Sequence, residues 1–97
     1  MASGDAVNAL VATAYNATLD IKPGTGVEWI VHNIIIPDGL TTGVSLYYVT
    51  GAVTSLVGTF KKSLIGFNFH ATATYYYQLK VLEATTQNIG YDGIVVK

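Results

Sequence analysis

Val27-Glu-Trp-Ile-Val-His-Asn-Ile-Ile-Ile36 is the stretch whose reading decides the fold. Its β-branched and aromatic residues are dense, and no apolar set in it repeats at 3.6 residues. At period two, Trp29, Val31 and Ile35 share one face, while Ile30, Ile34 and Ile36 share the other with Glu28 and His32. Both faces are substantially apolar, so this strand is expected to be central in a sheet or covered by a neighbour. Turns bound it on either side. Lys22-Pro-Gly-Thr-Gly26 precedes it, and Pro37-Asp-Gly39 ends it.

Working outward, the same texture recurs. A strand region runs from about Ala9 to Ile21 with a break near Asn16, and residues 1–8, small and polar, read as a loose arm. Val44–Thr50 and Val53–Phe60 form a hairpin around Thr50-Gly-Ala52, with Leu46 and Tyr48 on one face and Ser45, Tyr47 and Val49 on the other. Phe67–His70, Thr74–Glu83 and Ile89–Val96 supply three more strands; Gly90 and Gly93 in the last are bulge candidates. Seven or eight short strands therefore follow one another with no link long enough for a crossover helix, so the sheets are expected to be antiparallel. The expected fold is a single all-β sandwich over residues 9–97, of the jelly-roll or immunoglobulin-like type.

Composition narrows the function. The chain has 97 residues, no cysteine, a net charge of −1, and 11% charged residues, against about 25% in ordinary soluble domains. Disulfides, thiolate catalysis and cysteine zinc sites are excluded. All five basic residues are lysines, so the arginine forks that read phosphates and guanines are missing, and no nucleic-acid partner is expected. No run approaches the ~20 apolar residues of a membrane span. A near-neutral exterior favours association, so a subunit that buries its surface against copies of itself or a larger assembly fits the composition best.

Few residues carry chemistry. His32 and His70 could share a metal with Asp38 or Asp92 if their strands paired, but each also reads as a lone polar residue on a sheet face, and that reading is preferred. No serine lies in a Gly-x-Ser-x-Gly elbow, and no pair among Asp5, Asp20, Asp38, Asp92, Glu28 and Glu83 stands out for acid–base work. Neither Gly24-Thr-Gly26 nor Gly90-Tyr-Asp-Gly93 precedes a helix, so both read as turn or bulge rather than phosphate cradle. No catalytic residue, cofactor or metal is expected. In Tyr75-Tyr-Tyr77 the outer rings read as core and Tyr76 as exposed, which leaves Tyr47, Tyr48 and Tyr76 as interface candidates.

Two segments, Val27-Glu-Trp-Ile-Val-His-Asn-Ile34 and Asn88-Ile-Gly-Tyr-Asp-Gly-Ile-Val-Val-Lys97, resemble small virion proteins of tailed bacteriophages of the capsid-decoration or head-fibre type. The likeness covers residues 17–97 in pattern and is most specific at the Gly-Tyr-Asp-Gly terminus. It implies a non-enzymatic cement subunit, made in the host cytoplasm and carried on the capsid exterior. Its implied partners are two further copies in a trimer and the major capsid protein. A carbohydrate- or receptor-binding module of a tail or fibre is the alternative.

Overall fold

The computed structural model describes residues 3–97. Eight strands follow one another: β1 (Ala6–Thr13), β2 (Thr18–Ile21), β3 (Glu28–Ile35), β4 (Val44–Thr50), β5 (Val53–Phe60), β6 (Leu64–Thr72), β7 (Tyr75–Val81) and β8 (Gln87–Val95). They form two four-stranded antiparallel sheets, ordered β1-β8-β3-β6 and β2-β7-β4-β5. The first strand pairs with the last, the second with the seventh, the third with the sixth and the fourth with the fifth. That is one long four-armed hairpin rolled into a sandwich, the jelly-roll arrangement. The expected antiparallel β-sandwich is therefore present, and strand order selects the jelly roll over the immunoglobulin type. Among the described residues no helix is long and apolar enough to cross a membrane.

The core is the row of alternate residues that each sheet turns inward. Val31, Ile34, Ile89 and Val95 from one sheet meet Ile21, Val44, Leu46, Leu79 and Val81 from the other, all fully buried. Each such side chain contributes roughly 1.5–3 kcal/mol by leaving water. Trp29 and Tyr91 stack at a tilt with ring centroids 5.9 Å apart and close one side of this core.

Three local expectations are corrected. Period two puts Ile35 with Trp29 and Val31, but Ile34 and Ile36 are the buried partners. The cause is a bulge: Val31 opposes Gly93 and Asn33 opposes Asp92, so His32 is the extra residue and every side chain after it changes face. Of the two bulge candidates, Gly93 sits opposite Val31 at this bulge, while Gly90 lies in regular pairing. A Cβ on either would overlap the carbonyl oxygen of the neighbouring strand, Ala9 for Gly90 and Ile30 for Gly93. Last, the arm does not extend to residue 8. β1 starts at Ala6, Val7 is buried, and the Gly4 amide donates to the Val95 carbonyl at 2.6 Å. Pairing with β8 gives those amides partners, which a loose arm would leave to water. Met1 and Ala2 of that arm lie outside the described residues. The break expected near Asn16 is present, with Asn16 itself at a φ of 63° between β1 and β2.

Candidate association surface

Side chains that point into a sandwich are normally covered by the opposite sheet. Near the β4–β5 turn they are not. Two residues beyond the fully buried pair Leu46 and Leu79, the same face carries Tyr48 opposite Tyr77, and two further on Thr50 opposite both Tyr75 and Val53. From the other sheet Phe69, opposite the buried Val31, reaches across. The rings touch in sequence: Tyr48 to Tyr77 at 5.1 Å, Tyr77 to Phe69 edge-on at 5.2 Å, and Phe69 to Phe67 at 5.8 Å. Such tilted and edge-on contacts suit aromatic quadrupoles. Yet the row ends in water, with Phe67 51%, Tyr75 48% and Val53 69% exposed.

The backbone of β6 is irregular beside this row. Between Val31 and Asn33 the β3–β6 register slips, because Phe69 opposes Val31 while Ile65 opposes Asn33. Gly66 in that slip takes a φ of 77°, which only glycine adopts without strain. The Asn33 side chain fastens the slip: its carbonyl accepts from the Gly66 amide at 3.0 Å while its Nδ2 donates to Asp92 at 2.7 Å. Along β5 itself Leu56 and Val57 are exposed too, and Val57 is the unpaired residue of a second slip, between Leu46–Gly58 and Tyr47–Leu56.

This edge is also undefended. Neither β5 nor β6 contains a lysine, arginine, aspartate, glutamate or proline. Natural edge strands use such residues to prevent pairing with other chains. Burial holds the Tyr77 hydroxyl above the usual tyrosine range, with the neighbouring Tyr48 adding to the rise. Tyr77 therefore stays neutral well above pH 7.

The sequence-based candidates fare unequally. Tyr48 belongs to the row. Tyr47 and Tyr76 lie on the outer face of the sheet, half-buried, and Tyr76 carries the Lys22 ammonium 4.8 Å from its ring centre. Tyr75, read as core, is 48% exposed, although its amide donates to the Thr72 hydroxyl at the end of β6. Phe67 and Val53 were not singled out by sequence reasoning; the Phe67–Phe69 alternation marks the face, but not that the face is uncovered.

Several titratable groups are engaged within the chain. His70 Nε2 pairs with Glu28 Oε1 at 2.8 Å, and Lys97 lies 3.6 Å from the other Glu28 oxygen. His70 thus sits with Glu28, not with His32. Among the described residues no three of His, Asp and Glu come together to hold a metal ion. Glu83 accepts from the Gly43 amide at 2.8 Å, from the Thr42 amide, and from the Thr42 hydroxyl at 2.9 Å. These backbone bonds hold its carboxyl below the usual range. A cleft of about 450 Å³ lies between Asp38–Gly39 and the β5–β6 connection, lined by Lys61, Lys62 and Leu64.

Comparison with known proteins adds a likeness in fold. No family model matches the chain, and no curated protein matches it. Among solved structures, the Drosophila NLP core superposes with a TM-score of 0.56 over 93% of this chain and 98% of that one, at 10% identity. That structure is described as giving insight into pentamer formation and histone binding. The finding corrects the function drawn from the phage resemblance. This neighbour is described for pentamer formation and histone binding, so the capsid-cement trimer on a major capsid protein is withdrawn, together with its fibre alternative and its list of partners.

Proposed function

We propose that this chain is a non-enzymatic structural subunit that assembles with copies of itself into a closed ring of five. The observation that carries the reading is the aromatic row Tyr48–Tyr77–Phe69–Phe67, built on inward faces and left open to water. Exposed apolar side chains of Tyr48, Val53, Leu56, Val57, Ile65, Phe67 and Tyr75 offer on the order of 700 Å² together, taking large side chains at roughly 150–250 Å² each. About 800 Å² per partner is the size of a standard specific interface. The low charge and the undefended edge support the same reading. The number five is drawn from the pentamer-forming neighbour of the same fold.

Self-assembly is carried over from that neighbour, and histone binding is not. A basic partner is drawn by an excess of negative charge, and with six acids against five lysines this chain's net charge is only −1.

Native mass spectrometry at tens of micromolar tests the reading. Five copies of 10.3 kDa, about 52 kDa, are expected. A closed assembly of another number overturns the pentamer, and a 10.3 kDa monomer overturns self-assembly altogether.

A further inference from the structure

We infer that the assembly is head-to-tail: the open aromatic edge of one copy, β5–β6, takes the β1 edge of the next. This rests on the self-assembly proposed above and adds which surface meets which. In the sheet order β1-β8-β3-β6, β1 and β6 are opposite edges, and in β2-β7-β4-β5 so are β2 and β5. One side of the sandwich is therefore β5–β6, and the other is β1–β2.

The far side carries its own exposed apolar group. Leu10 is 65% and Tyr15 56% exposed, with Val11 exposed between them. β1 reads Ala-Val-Asn-Ala-Leu-Val-Ala-Thr, eight residues with no charge and no proline. Like β5 and β6, it is a long edge strand without charge or proline to discourage pairing. The short edge strand on that side, β2, does hold a charge, Asp20. Protection is thus missing at the edges that carry exposed large apolar residues, and those edges lie on opposite sides.

Symmetry turns this into a choice. If the aromatic edge met a second aromatic edge, a two-fold dimer would close, and Leu10, Val11 and Tyr15 would stay in water on both copies. If unlike edges meet, every copy covers both patches, and rotation from copy to copy closes a ring. The two sides also differ in what they expose: rings at the β5–β6 side, and Leu10 and Val11 along β1 on the other. The occupant of the aromatic edge is accordingly β1 of a second copy.

A mixing experiment decides it. Phe67→Asp spoils the aromatic edge and leaves β1 intact; Leu10→Asp does the reverse. Both residues are more than half exposed, and circular dichroism with thermal melts confirms that each variant keeps the sandwich. Wild-type protein is run alongside, so that a monomeric wild type refutes self-assembly itself, separately from the head-to-tail geometry. Each variant alone is expected at 10.3 kDa in sedimentation, and an equimolar mixture at about twice that mass, because one good interface survives between Leu10→Asp and Phe67→Asp chains. The geometry is overturned if Leu10→Asp assembles like wild type, or if the mixture stays monomeric while wild type assembles. Should either variant unfold, Phe67→Ser and Leu10→Ser give the same readout.

Discussion

Truncating Phe67 separates assembly from folding. Its ring is 51% exposed and, among ring contacts, touches Phe69 alone, so Phe67→Ala removes little from the isolated sandwich, about 1 kcal/mol. If a second copy covers the exposed half, roughly 100 Å² of apolar surface is lost from each interface. At about 25 cal/mol per Å² that is about 2.5 kcal/mol, or roughly a 70-fold weakening of each contact. A closed ring has one more interface than an open chain of the same copies, so its dissociation midpoint moves at least that far. Sedimentation velocity over a dilution series reads the midpoint, and a thermal melt below it reads the subunit. A shift under about threefold with an unchanged melt would refute the reasoning, since Phe67 would then face solvent in the assembly. A large drop in the melt below the midpoint would refute it differently, by making Phe67 part of the core.

Three further outcomes follow from the geometry. Gly93→Ala places a methyl group against the Ile30 carbonyl in the middle of the β8–β3 ladder, and is expected to cost at least about 3 kcal/mol in a denaturant titration, whereas Gly24→Ala, open on all sides, costs under about 1. Glu83 has a folded pKa below its ordinary 4.5, so its contribution to stability is present above that value and is lost as pH falls through the lower folded one. Wild-type protein should therefore lose more stability than Glu83→Gln between about pH 5 and pH 3 in urea titrations; parallel losses would remove the Thr42–Gly43 clasp from the account. Association by apolar edges should survive 1 M NaCl, where the screening length is about 3 Å. Dissociation into monomers at that salt would assign the contact to charges instead.

The sandwich is legible in the sequence because strand spacing, turn residues and the absence of helical period all say the same thing. Periodicity loses its hold at His32, where one extra residue moves Ile34 and Ile36 inward; nothing in Val-His-Asn announces a bulge, which is set by the pairing with Gly93 and Asp92. The N-terminal strand was hard to see for a similar reason. Ser3 to Asp5 are small and polar, and it is the pairing of Ala6 with Ile94 at the far end of the chain that starts a strand directly after them. Tyr48 could be placed on its correct face from alternation alone. That this face is uncovered is a long-range fact, like the register slip at Gly66 beside it, and a local pattern contains neither. The clasp of Glu83 and the pairing of His70 with Glu28 likewise join residues some forty positions apart.

Side-chain footprinting with hydroxyl radicals tests most directly whether another copy covers the aromatic row. At concentrations where the protein assembles, Phe67 and Tyr75 are expected to oxidise about as slowly as Tyr91, which the sandwich itself buries. Oxidation of Phe67 and Tyr75 at the rates of half-exposed rings, unchanged on dilution, would contradict the account.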